Sequence, residues 1–297
     1  MGVKSIRGAY AGLLIAAVAV LSFSAVAQAK LTGNYTKFVQ CPYSNLEVKK
    51  CIYSVTNSGE VVLGKKKVPI VNPVTLQGGY GKAVEGFAPF FAASNGVTLS
   101  KTPQPVPGGL AGLVSCPEIK DFFLRLSCKL VFENGLTGVN STLELARPAS
   151  EIRVSENNLA AEEGVALKMP VRVHLENPFL GSGCYVGSSS SPIIWNLTTG
   201  TTSPPGPNTP ITGSGGELEF LEEGRILESK NAKLVDNAWS APGASGCGGF
   251  LVELLLNPII NASVGVPAAA GRNTAVLNNT IFVASAAAVR KNNEENP

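Results

Sequence analysis

The groups that titrate near neutral pH are few enough to be taken one at a time. The chain holds one histidine, His174, and two aspartates, Asp121 and Asp236. A serine hydrolase would need His174 to take a serine proton while a carboxylate oriented the ring. The nucleophile elbow G-x-S-x-G is missing. H-E-x-x-H is missing too, since His174 is followed by Leu175, Glu176 and Asn177. His174 alternates with Arg172 and Glu176 on what reads as the polar face of a strand, the setting of a solvated histidine rather than a base. Glu217 and Glu219 would share one strand face ~7 Å apart, a separation that glycosidase carboxylates also use. The adjacent Glu222 and Glu223 point instead to an acidic, exposed sheet edge. The run 78–83 is no phosphate loop, because Leu76 and Ala83 occupy its first glycine and its Ser/Thr positions. Two scattered aspartates cannot build a calcium loop. The residues therefore assign no catalytic group, no metal site and no cofactor.

Six cysteines carry the remaining chemistry: Cys41, Cys51, Cys116, Cys128, Cys184 and Cys247. An even number in an exported chain reads as disulfides, with 15 possible connectivities. Pairing in order is the simplest expectation. Cys41 and Cys51 flank a turn-like stretch with Pro42 and Asn45. Cys184 and Cys247 would close a long loop and contribute about 4 kcal/mol through the unfolded state. Cys116 and Cys128 raise a conflict. Ser115-Cys116-Pro117-Glu118 reads as a capping box that opens a helix over 116–127. An unbroken helix would hold the two Cα atoms roughly 18 Å apart, whereas a disulfide needs less than ~7 Å. Either the helix ends early or these cysteines pair elsewhere.

Aromatic residues offer the clearest binding chemistry. A Cys184–Cys247 bridge would bring Tyr185 and Trp239 together, with Trp195 between them in sequence. Such a cluster is either a platform for a sugar or an apolar ligand, or buried tryptophan packed on a disulfide. Phe87, Phe90 and Phe91, and the apolar stretch 250–260, read as core or as the wall of a lipid pocket. Periodicity does not separate the two.

The elements that must position these groups are mostly short strands. Gly and Pro make up 52 of the 297 residues, and charged residues are 15% against a usual ~25%. Strands are expected at 61–63, 68–71, 97–99, 142–145, 165–175, 193–197, 217–221 and 275–284. Helices are expected near 116–127 and near 248–264, the second interrupted at Pro258. The expected fold is mainly β: an antiparallel, sandwich-like architecture with one or two short helices. Two β-rich halves, 30–150 and 151–297, would meet near residue 150, the second holding a Ser/Pro/Gly-rich insert at 187–216. Both 68–79 and 173–181 run an apolar strand into Asn-Pro and a glycine turn, which duplication would produce and chance could match. The tail from Lys291 is expected to fray.

The N-terminus reads as an export signal. Lys4 and Arg7 precede an uncharged apolar stretch, and Ala27-Gln28-Ala29 supplies a cleavage site between Ala29 and Lys30. An uncleaved anchor is the alternative; after cleavage no transmembrane segment is expected. Removing Lys4 and Arg7 lowers the formal net charge from +3 to +1, which argues against a nucleic-acid partner. The charge is unevenly spread, +6 over 30–150 and −5 over 151–297. A basic face for an anionic envelope polymer would explain this, as would two surfaces that simply differ.

The block 174–188, from His174 through Cys184 and Tyr185, continued by 196–205, resembles uncharacterised secreted proteins of high-GC Gram-positive bacteria. So does the run Val62-Leu-Gly-Lys-Lys-Lys-Val-Pro-Ile70. The resemblance implies export to a bacterial envelope and adds no site. The expectation from sequence is an exported, disulfide-stapled, non-enzymatic binding or structural module, partnered by an envelope polymer, a lipid or a protein. The alternatives are a hydrolase acting on envelope polymers and a carrier of lipid or another apolar ligand.

Overall fold

The structure is a computed structural model that describes residues 30–109, 138–249 and 252–296, together with Lys120, Phe122 and Arg125. Its strands are β1 Lys50–Leu63, β2 Lys66–Ile70, β3 Val74–Tyr80, β4 Ala88–Ala92, β5 Pro103–Pro105, β6 Asn140–Leu145 and β7 Arg153–Val154. They continue as β8 Leu167–Glu176, β9 Tyr185–Val186, β10 Ile193–Leu197, β11 Glu217–Leu221, β12 Ile226–Asp236, β13 Ala244–Ser245 and β14 Thr274–Ser285. The fold is mainly β, antiparallel and sandwich-like, as expected from the sequence.

One layer runs β11-β12-β14-β1-β3-β4, and the other gathers β5 to β10 and β13 around β8. Two stitches join the layers at their margins. β4 pairs with β7 through Ala88↔Val154 and Pro89↔Arg153, and Thr198 bridges Val235 at the end of β12. The first strand lies against the last, from Lys50↔Ser285 to Val62↔Thr274. Strands from before and after residue 150 therefore build one core.

β1 serves two partners on its other edge. Its first half pairs with β3 and its last five residues pair with β2. A bulge between Thr56 and Ser58 makes the change. Gly59 follows with φ +138°, and a Cβ there would stand 2.0 Å from the Val276 carbonyl oxygen. Only glycine fits so close an approach.

Several expectations need correction. The segment 97–99 forms no strand; Leu99 makes a single bridge to Leu76. The helix expected over 248–264 spans Glu253–Val264, because Gly248 and Gly249 take φ of +83° and +70° and cannot open a helix. Pro258 lies inside it without ending it. Among the described residues two further short helices join it. Naming all three in chain order, α1 is Glu156–Ala161, α2 is Glu253–Val264 and α3 is Ala286–Glu295. The Ser155 and Ser285 hydroxyls cap α1 and α3, accepting from Asn158 N and Ala288 N. The C-terminal tail is thus held rather than frayed. α3 runs on to Glu295, Asn292 Oδ1 accepts from Thr32 N at 2.9 Å, and the Asn296 carbonyl accepts from Lys30 N at 3.0 Å. The helix over 116–127, and Cys116 and Cys128 with it, lies outside the described residues apart from Lys120, Phe122 and Arg125.

Candidate functional site

Strand periodicity builds the site. Side chains two apart share a sheet face, so Ile52 and Ser54 on β1, Val68 and Ile70 on β2, and Leu277, Asn279 and Ile281 on β14 point inward. Leu143 on β6, Met169 and Val173 on β8, and Trp195 and Leu197 on β10 face them from the other layer. The two inner faces do not close completely. Between them lies a cavity of about 130 Å³ whose wall is overwhelmingly apolar. Val61, Val68, Leu143, Leu167 and Val173 line it and are only partly buried, although they lie on the inward face. A well-packed interior would cover such side chains.

Few polar groups reach this wall. The Thr56 hydroxyl donates to Asn279 Oδ1 at 2.7 Å, and Asn279 Nδ2 donates to the Leu277 carbonyl at 2.9 Å. Gln104 on β5 accepts from Val71 N and Asn72 N, both at 2.9 Å, and donates to the Asn72 carbonyl at 2.7 Å. It thereby holds β5 against the β2–β3 connection. The Trp195 indole is 1% exposed and its Nε1–H has no hydrogen-bond partner among the described residues. Lys66 lines the cavity from β2, and is the charged side chain among the described lining residues. Burial, with Lys65 nearby, lowers its ammonium below the usual lysine range.

The aromatic residues divide between the two faces of the second layer. Trp195 and Trp239 meet edge-on inside the molecule. Trp239 Nε1 donates to the Asp236 carbonyl at 3.2 Å. Tyr185 lies elsewhere, with its ring stacked on His174 at 4.3 Å and the Arg172 guanidinium 4.2 Å from its centre. Those partners alternate with the cavity-lining Val173 and Leu175, so this group occupies the outer face. There Glu144 accepts from Arg172 at 2.7 Å and pairs with Lys101 at 3.3 Å, while His174 Nδ1 stands 3.5 Å from Glu176. Tyr185 thus belongs to a polar cluster and offers no open platform beside the tryptophans.

Cys184 joins Cys247 and Cys41 joins Cys51, with Cα separations of 4.1 and 5.5 Å. The Cys247 loop is held by side chains one helical turn apart on α2. Glu253 accepts from Gly246 N at 3.0 Å, Asn257 from Cys247 N at 3.0 Å and Asn261 from Ala244 N at 2.6 Å. Gly246 lies so close to the Gly183 carbonyl that a Cβ would stand 2.1 Å from its oxygen. Sequence reasoning missed this brace, although Glu253, Asn257 and Asn261 recur at intervals of four.

A second concave surface among the described residues is a groove of about 300 Å³ beside Tyr80, Glu156, Lys49, Lys50 and Lys82. Its acid and its phenol are already partnered. Lys50 Nζ reaches the two Glu156 oxygens at 2.8 and 2.6 Å, and the Tyr80 hydroxyl donates to Oε1 of the same carboxylate. Burial and then the Glu156 charge push the phenol well above its usual range, so Tyr80 stays protonated. Among the described residues no three His, Cys, Asp or Glu side chains cluster as a metal site. No described helix is long and apolar enough to cross a membrane.

The fold and site define a disulfide-stapled, antiparallel β module with an apolar cavity between its layers. Comparison with protein-family models, curated proteins and solved structures returns no match.

Proposed function

We propose that this chain is an exported, non-enzymatic binding module that holds an apolar ligand between its two β layers. The cavity carries the reading. Apolar side chains that could have packed against one another instead leave room of about 130 Å³. Enclosed apolar space of this order accepts a small hydrocarbon and stays dry without one. Export accords with the disulfides, which persist in oxidising compartments. It also accords with Leu31, Tyr35 and Phe38 being buried immediately after the expected cleavage site between Ala29 and Lys30. A bacterial envelope is the setting that the resemblance to secreted proteins of high-GC Gram-positive bacteria suggests. His174, the one candidate base, supports a non-enzymatic role, because it is engaged by Tyr185 and Glu176 on the face away from the cavity.

Titration of the mature chain with the neutral fluorophore N-phenyl-1-naphthylamine tests this. Saturable binding at one site, competed by a neutral alkanol, is expected. Absence of saturable binding would overturn the reading. Intact mass of the exported protein, expected to begin at Lys30, tests the export step separately.

A further inference from the structure

The two buried indoles differ in what their N–H groups meet. Trp239 Nε1–H donates to the Asp236 carbonyl, whereas Trp195 Nε1–H has no acceptor among the described residues. A buried tryptophan usually finds one, and a donor left without one costs stability. Alternation along β10 sends Ile193, Trp195 and Leu197 inward, and the Trp195 side chain forms part of the cavity wall. Its immediate surroundings supply no oxygen. Ile193 and Leu197 flank it on its own face of β10, and Met169 is its partner across the β8–β10 pair. Thr56 and Asn279, which bond to one another, stand on β1 and β14 in the opposite layer. A water needs two to four polar partners. Among these apolar side chains it would have the indole alone.

We infer that the ligand is a small neutral carbonyl compound, its oxygen accepting from Trp195 Nε1–H and its hydrocarbon part filling the space between the layers. An indole N–H only donates, so the acceptor has to come with the ligand. A carbonyl suits the place better than a hydroxyl, whose own proton would meet only Ile193, Leu197 and Met169. A carboxylate suits it less, because one neutral hydrogen bond does not offset the burial of a charge. The space of about 130 Å³ limits the hydrocarbon part to one short chain.

The inference rests on the cavity reading, and the experiment separates the two. N-phenyl-1-naphthylamine bound to the mature chain is displaced with 2-octanone, or with 2-methyl-1-octene, which carries a methylene where the ketone has its oxygen. Each competitor is compared with itself in the parent and in Trp195→Phe, so differences in water solubility cancel. In Trp195→Phe the ketone should weaken about tenfold, and the alkene by less than about threefold. A second readout leaves the indole in place. In Trp239→Phe the one remaining indole N–H proton resonance should move downfield with saturating 2-octanone and much less with the alkene. Should Trp195→Phe fail to bind the dye, this resonance decides. Equal weakening of the two competitors, or an indole resonance that responds alike to both, would overturn the carbonyl assignment and leave the cavity standing. Failure of the dye and both competitors to bind the parent would remove both.

Discussion

The indole of Trp195 meets that of Trp239 edge-on, with ring centroids 6.1 Å apart and planes at 62°. Such a pair adds about 1 kcal/mol beyond its buried area. The two rings nevertheless have different neighbours. Trp195 lines the cavity, while Trp239 is tied to the Asp236 carbonyl away from it. They are the only two tryptophans in the chain.

That difference makes Trp195 a built-in reporter. In Trp239→Phe, emission comes from Trp195 alone and is expected to change in intensity on titration with decanol. In Trp195→Phe, the Trp239 emission should stay flat. A response confined to Trp239 would place the ligand somewhere other than the cavity.

Cavity filling gives a second test. Val173 is partly buried and lines the cavity from β8. Val173→Phe should occupy the space and abolish dye binding, with urea stability changed by less than about 2 kcal/mol because the added ring has room. Val173→Ala enlarges the space and should keep dye binding at some loss of stability. Dye affinity unchanged in Val173→Phe would show that the fluorophore binds elsewhere.

Strands with a local signature were legible in the sequence, and those without one were not. β10 and β11 match their expected bounds, 193–197 and 217–221, because apolar or alternating residues there lie between clear turn residues. β1 was visible only at 61–63, since Ser54, Thr56, Asn57, Ser58 and Gly59 interrupt its pattern. Those residues mark the bulge and the polar stretch of the cavity wall, which are tertiary features. The cavity itself was open to sequence only as a choice between core and pocket. A Val that lines empty space and a Val that touches another side chain have the same periodicity. Tyr185 illustrates the limit of adjacency: it follows Cys184, yet strand alternation sends it to the opposite face from Trp195. Lys66 stands in a run of three lysines, and only the register of β2 turns it inward while Lys65 and Lys67 face out.

The two described disulfides should differ in what they contribute. Cys184–Cys247 spans 63 residues and Cys41–Cys51 spans 10. Chain entropy gives about 4 kcal/mol for the longer loop and about 3 kcal/mol for the shorter. The double variant Cys184→Ala/Cys247→Ala should therefore lose more stability to urea than Cys41→Ala/Cys51→Ala. The α2 brace through Glu253, Asn257 and Asn261 would hold the Cys247 loop only while the fold persists. A larger loss on removing the shorter loop would mean that native-state packing around Cys51, and not the unfolded chain, sets the contribution.

Glu144 sets the acid limb of stability. Burial alone would raise its carboxyl, but the Arg172 hydrogen bond and the Lys101 charge outweigh burial and hold it below the usual range. The group facing it from its own side of β8, His174, lies 4.0 Å away. A carboxyl depressed in the fold contributes stability that is complete above its unfolded value of ~4.3 and is lost as pH falls through the lower folded value. Glu144→Gln removes that contribution, so it should lower stability by about 2 kcal/mol at neutral pH. The gap between parent and variant should close on acidification below about pH 4. Asp236 runs the other way. Burial raises its carboxyl despite hydrogen bonds from Ala238 N and Asn196 N, so its contribution fades as pH rises. The parent curve mixes both effects, and the difference between parent and Glu144→Gln isolates Glu144. Urea midpoints measured from pH 3 to pH 7 provide that difference. A gap that stays constant across the range would mean that the ion pairs of Glu144 with Arg172 and Lys101 contribute nothing to folding.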